Sequence, residues 1–172
     1  MERALDGKGA AHDCGGGGAT SRAHDLHAVR AVERPEKAVG SWKRYYHRWE
    51  AVTLDRMDPA LVDLAPALAR FVPPARVVDK WVYSPWTEGR LDAMLKGTDV
   101  DTIVVSGGET DVCVLFAVMG AVDRGYRVII VNDGMCSSAD ETHDSLLELY
   151  GNRFGQQIEV APAQEILESW KV

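Results

Sequence analysis

Asp101-Thr-Ile-Val-Val-Ser-Gly-Gly-Glu-Thr-Asp-Val-Cys-Val-Leu-Phe-Ala-Val-Met119 is the stretch on which the reading of this chain turns. Ile103, Val104 and Val105 form a β-branched apolar run. Gly107 and Gly108 interrupt it, and apolar residues at helical spacing begin at Cys113. The pattern predicts a strand, a tight turn and a helix with a cysteine at its entrance. A thiol placed there feels the positive end of the helix dipole and nearby unpaired N–H groups. Both favour the thiolate, and the N–H groups can receive the oxyanion formed when a thiolate attacks a carbonyl. The competing reading of a single cysteine is inert packing, because cysteine is among the most buried residue types.

The same alternation extends in both directions. Arg76 to Val82 predicts a short strand, Gly89 to Lys96 a helix, and Thr102 to Ser106 the strand that leads into the glycine pair. The helix opening at Cys113 should run to about Arg124, where Gly125 stops it. Arg127 to Asn132 reads as a buried strand, and Ser137-Ser138-Ala139-Asp140-Glu141 as a capped helix start ahead of Leu146, Leu147, Leu149 and Tyr150. Gln157 to Val160 and Ala163 to Trp170 give a last strand and helix. Strands alternating with helices imply an α/β fold: a three-layer α/β/α, Rossmann-like arrangement around a mostly parallel sheet, with its site at the carboxyl ends of the strands. Lys80 and Cys113 both fall near such ends.

Upstream the signals are weaker. Leu26 to Glu33 is a thin strand candidate. Arg34 to Glu50 interleaves bases with Trp42, Tyr45, Tyr46 and Trp49, and reads either as a stacking platform for single-stranded nucleic acid or as a partly buried amphipathic segment. Asp58-Pro59 opens a helical pattern carrying Leu61, Leu64, Ala65 and Leu68, which Pro73-Pro74 ends and in which Pro66 is a conflict. Residues 1–26 contain four consecutive glycines and almost no large apolar side chains, so they read as an atypical flexible segment ahead of a domain spanning 27–172. Neither His12, Asp13, Cys14 nor His24, Asp25, His27 has the spacing of a metal-ligand set, so no metal or cofactor is expected.

A net charge of −7 disfavours nucleic acid and anionic membranes as partners, since both call for a concentrated basic face, and this favours the amphipathic reading of Arg34 to Glu50 over the stacking platform. Cys14, Cys113 and Cys136 are odd in number, so one is left over in any disulfide scheme, and reduced cytoplasmic thiols are the expectation. No apolar run approaches 18 residues and no signal-peptide core is present. Cys136, in a loop, reads as a bystander, and His143, on a helix among acids, as a surface residue.

Gly107-Gly108-Glu109-Thr110-Asp111-Val112-Cys113-Val114, followed by Ala117, Ala121, Gly125-Tyr126-Arg127-Val128 and Val131-Asn132-Asp133, resembles the core signature of the isochorismatase-like cysteine hydrolases. Lys80-x-x-Tyr83-Ser84-x-Trp86, with Leu91 and Leu95 behind it, is similar to that family's lysine segment. The likeness spans roughly Gly40 to Trp170. It implies that Cys113 is the nucleophile, that Lys80 assists it, and that a non-proline cis peptide joins Gly108 to Glu109. Backbone N–H groups of Gly108, Glu109 and Cys113 would then form the oxyanion hole. It also implies a small-molecule substrate and a homo-oligomer. Trp81, Tyr83 and Trp86 either wall an apolar substrate pocket or pack the core.

One family element is not found. The resemblance implies a catalytic aspartate ending an apolar first strand, and nothing before Ala28 has that pattern; Asp13 and Asp25 follow no hydrophobic run. The expectation is that residues 1 to about 26 replace the true N-terminus through truncation or a frame shift, or that the chain is a decayed paralogue. A nicotinamidase-type metal site would call for an Asp-x-His pattern, and Glu33 to Trp49 has none, so a metal-free hydrolase of small amide, carbamoyl or vinyl-ether-like substrates is expected. The alternative is a catalytically impaired pseudo-hydrolase serving as an oligomeric scaffold or small-molecule binder.

Overall fold

The computed structural model describes residues 25–170, which fall into two compact units, 25–82 and 83–170. The first holds β1 (Asp25–Val29) and β2 (Arg76–Lys80), paired in parallel from Asp25 opposite Arg76 to Val29 opposite Lys80. Beyond β1 the chain stays tied to β2: the Arg30 N–H donates to the Lys80 carbonyl at 2.7 Å, and the Arg30 guanidinium pairs with Asp79 at 2.8 Å. The strand is therefore shorter than the Leu26 to Glu33 expectation and begins two residues inside the segment read as flexible. Residues 1–24 lie outside the described residues.

Between these strands the aromatic and basic segment forms α1 (Ser41–Arg48). Trp42, Tyr45 and Tyr46 gather their rings at centroid distances of 5.1–6.0 Å, with Tyr46 buried and Lys43, Arg44 and Arg48 exposed. Such a clustered face is what an amphipathic helix presents to a core. The helix anticipated from Asp58 is instead two separate turns. The Asp58 carboxylate caps the first, Pro59–Leu61, by accepting the Ala60 N–H at 2.9 Å, and Pro66 opens the second, α2 (Pro66–Ala69). Proline carries no N–H to continue a preceding helix and fits the first helical position, so the conflict resolves as a break.

The unit 83–170 holds β3 (Thr102–Gly108), β4 (Arg127–Cys136) and β5 (Ile158–Ala161), in the order β3-β4-β5 with both pairings parallel. The helices are α3 (Arg90–Leu95), α4 (Leu115–Asp123), α5 (Asp140–Arg153) and α6 (Ala163–Ser169). Val128 and Ile130 of β4 are fully buried, and with Ile158, Val118, Ala121, Tyr150, Trp86 and Leu91 they form one core. The unbroken apolar run Val128 to Val131 is what a strand inside a parallel, helix-covered sheet looks like. The predicted parallel α/β class is thus observed. The sheet itself is in two parts among the described residues, β1-β2 and β3-β4-β5, where the alternation predicted one. No helix among them is long and apolar enough to cross a membrane.

Trp86 anchors this core. Its indole N–H donates to the Ala117 carbonyl at 2.8 Å, its ring stacks on Tyr126 at 5.9 Å, and the Arg124 guanidinium lies 4.5 Å above it. The indole reaches α4 because position 120 has no side chain: a Cβ there would stand 2.1 Å from the ring. Gly120→Ala must displace the indole and its hydrogen bond, and overpacking of this kind costs about 1–3 kcal/mol. Chemical denaturation should show a lowered midpoint with an unchanged slope.

Candidate active site

The site begins where β3 runs out. From Val105 to Gly107 the strand advances two residues while its partner advances five, from Ile130 to Met135, so β4 bulges outward and then resumes pairing with Gly107 opposite Met135 and Gly108 opposite Cys136. Gly107 has φ +102°, a conformation that favours glycine. At Gly108 a Cβ would sit 2.7 Å from the Cys136 sulfur and 3.0 Å from its carbonyl oxygen. The glycine pair therefore answers two separate demands, one of backbone conformation and one of space. Cys136, expected in a loop, is the last residue of β4 and is exposed.

The peptide between Gly108 and Glu109 is cis, at the bond where the sequence resemblance places it. Next comes a single π-helical turn, Thr110–Val114, rather than the first turn of an α-helix. The Glu109 carbonyl accepts both the Val112 N–H at 3.1 Å and the Val114 N–H at 3.0 Å. Such one-turn π segments concentrate at functional sites. Cys113 lies within this turn, half-buried, two residues ahead of the regular helix α4. The expected strand-turn-helix is present, with the cysteine on its turn.

Two adjacent side chains fasten the turn to α5. Thr110 is fully buried. Its hydroxyl lies 3.1 Å from the Cys136 carbonyl and 2.8 Å from His143 Nδ1, and its own carbonyl accepts the Tyr150 hydroxyl at 3.4 Å. Burial pushes the Tyr150 phenol well above its ordinary range, so it remains a donor. Asp111 accepts from Ser137 at 2.6 Å on one carboxylate oxygen and from Thr142 on the other. Those hydroxyls, Ser137 first, hold its carboxyl below the usual range.

None of these partners stands out in the sequence. His143, read as a surface residue, is half-buried against Thr110. Ser137, read as part of a helix cap, donates to Asp111, while the N-cap position of α5 is Ala139 without a side-chain cap. The available signal is three polar residues, Ser137, Thr142 and His143, standing just ahead of the apolar Leu146-Leu147 face.

Lys80 is the last residue of β2 and is 5% exposed, so the ordinary reading of a solvated edge lysine does not hold. An ammonium buried to this degree is retained only with polar partners. Tyr83 is half-buried with its ring 5.6 Å from Phe116 of α4, and Trp86 is in the core as described. Trp81 is 42% exposed. A shallow polar cleft in the unit 25–82, lined by Arg34, Glu36, Glu50, Thr53, Asp55 and Arg56, contains none of the predicted residues. Among the described residues no three His, Cys, Asp or Glu side chains gather as metal ligands would. Cys14, Asp13 and His24 lie outside the described residues.

The isochorismatase domain model matches residues 19–162. The chain belongs to the isochorismatase family. The isochorismatase-family protein YwoC of Bacillus subtilis is 32% identical over 81 residues, 47% of this chain and 41% of that protein, and the nicotinamidase of Escherichia coli is 41% identical over 44 residues, 26% and 21% of the two. The chain thus spans less than half the length of the curated relatives it matches. Among solved structures, a cysteine hydrolase from Pseudomonas syringae superposes with a TM-score of 0.65 at 27% identity, over 83% of this chain and 70% of that one. An isochorismatase family protein from Desulfovibrio vulgaris gives 0.63 at 19%, over 83% and 72%, a likeness of fold.

The Asp111 anchor makes a pH-dependent contribution. Its carboxyl is depressed in the folded chain, so the stabilisation is fully present above the unfolded carboxylate value of about 4 and fades as pH falls through the lower folded value. Asp111→Asn keeps one acceptor and loses the charge. It should cost about 1 kcal/mol near neutral pH, a figure reduced for partial exposure. Paired thermal melts should show this difference shrinking between about pH 5 and 3.

Proposed function

We propose that this isochorismatase-family chain is a cysteine hydrolase of small amide, carbamoyl or related C–N substrates, with Cys113 as nucleophile and Lys80 as its assisting cation. The observation that carries the reading is Cys113 itself: a half-buried thiol on a one-turn π segment leaving the carboxyl end of a parallel strand, where α/β sheets place their ligands. The 27% identical cysteine hydrolase supports it.

In this mechanism the Cys113 thiolate attacks the carbonyl carbon, and N–H groups of the turn around Gly108, Glu109 and Cys113 hold the oxyanion. Collapse breaks the C–N bond, the amine leaving with the proton given up by the Cys113 thiol, and leaves a thioester; water then hydrolyses it to the acid and returns a proton to the free thiol. The Lys80 ammonium favours thiolate and the developing negative charge. Two acids adjacent to these residues in the chain are poor candidates for the proton shuttle. Both oxygens of Asp111 accept hydroxyl hydrogens and its carboxyl is depressed, and Asp79 is engaged by Arg30. A substrate of free, small-molecule type and a homo-oligomeric assembly in a reducing compartment complete the proposal.

The test is hydrolysis across a panel of small amides, carbamoyl compounds and isochorismate. Cys113→Ala should lower kcat/KM by about a thousandfold or more, and Lys80→Met, which keeps the volume and removes the charge, by about a hundredfold. Equal turnover by Cys113→Ala and the unaltered chain would refute the nucleophile. Tight substrate binding without turnover by a folded chain would favour the impaired, ligand-binding alternative.

A further inference from the structure

We infer that His143 is a positioning residue for the Cys113 turn, acting through a hydrogen bond that it donates from Nδ1 to the buried hydroxyl of Thr110. The inference rests on the reading of Cys113 as the reacting thiol for its catalytic consequence, but its structural half stands on the hydrogen bonds alone.

The argument is one of counting hydrogens. A threonine hydroxyl has one hydrogen to give and two lone pairs that accept. Thr110 Oγ1 faces the Cys136 carbonyl at 3.1 Å and His143 Nδ1 at 2.8 Å. With the hydroxyl hydrogen directed to the Cys136 carbonyl, which only accepts, the contact with His143 is a hydrogen bond in the tautomer whose Nδ1 carries the proton. The ring is thereby fixed with Nδ1–H toward Thr110, leaving Nε2 as the acceptor in the neutral form.

What this bond controls follows from where Thr110 sits. It opens the five-residue π turn, three positions before Cys113, and the turn is closed by the Val112 and Val114 N–H groups on the single Glu109 carbonyl. Thr110 is fully buried, whereas His143 is half-buried on the first turn of α5. Taking away the imidazole leaves the hydroxyl with an unused acceptor site and frees the buried residue to turn away from Cys136. The turn then loses its side-chain link to α5 at residue 110 and keeps the Tyr150 hydroxyl on the Thr110 carbonyl and the Thr142 hydroxyl on Asp111. Because Cys113 occupies the same turn, the aim of its sulfur and the N–H groups beside it depends on that link.

The experiment uses the full chain, His143→Ala, His143→Asn and Thr110→Val. Asparagine places an amide Nδ2–H at the position of Nδ1 and restores the donor without a ring. Two readouts are taken: amide hydrogen exchange at Val112 and Val114, and the rate of Cys113 alkylation by iodoacetamide as a function of pH, followed by peptide mapping against Cys14 and Cys136. Exchange at both amides is expected to rise at least about tenfold in His143→Ala and Thr110→Val and to return near the starting value in His143→Asn. Cys113 alkylation should fall about tenfold with the same pattern of rescue, while the melting temperature of His143→Asn stays with that of the unaltered chain. Unchanged exchange in His143→Ala, or equal loss in His143→Ala and His143→Asn, would overturn the inference. If Cys113 of the unaltered chain alkylates no faster than Cys136, the nucleophile reading fails, and the exchange data still decide the role of His143.

Discussion

Gly108 and Cys136 stand so close that no side chain fits between the strands that carry them. This contact comes after the bulge in β4, and it is what returns β4 to β3 once the regular ladder has ended at Val105 and Ile130. Because the strands close up there, the Cys136 carbonyl lies within reach of Thr110, and β4 turns into α5 at a place where Ser137, Thr142 and His143 all meet the start of the π turn. A side chain at 108 would push β4 away and with it each of those partners. The site is therefore set by a backbone approach first, and by polar side chains second.

The polar contacts around the turn differ in weight from those elsewhere in the unit. Arg127 and Glu159 form a bidentate pair at 2.6 and 2.7 Å, and Arg124 and Asp92 another at 2.6 and 2.9 Å, but all four groups are substantially exposed and pairs of this kind contribute little. Thr110 is buried, and a buried hydroxyl that loses its partners keeps the full penalty of desolvation. The unit thus has its stability in the apolar core around Val128, Ile130 and Tyr150, and its local precision in a few hydrogen bonds beneath Cys113.

Much of this is legible in the order of the amino acids. The parallel strands β2 to β5, the helix stop at Gly125, and the strand-turn-helix that carries Cys113 near the helix entrance all follow from apolar periodicity and from the special backbone of glycine. What is not legible depends on residues far apart in the chain. His143 is 33 positions from Thr110, and only the strand closure at Cys136 brings them together. Lys80 reads as an edge charge because a five-residue strand gives no sign of which end is covered. Trp86 offers two readings, pocket wall or core, and the absence of a side chain at Gly120, 34 residues on, is what lets the ring enter the core.

The acids show how a resemblance to a catalytic signature constrains chemistry without completing it. A general base must be able to take a proton, so its carboxylate must keep a lone pair available and a pKa not far below the working pH. Asp111 fits the second condition poorly: Ser137 and Thr142 each donate to one of its oxygens, and those bonds hold its carboxyl below the usual range. The arrangement that makes it an effective anchor for the turn also makes it a weaker base. A thiol adjacent to such an anchor is held in place but is not deprotonated by it. In the proposed mechanism, stabilising a thiolate at Cys113 therefore falls to groups other than Asp111, the N–H groups of the π turn among them.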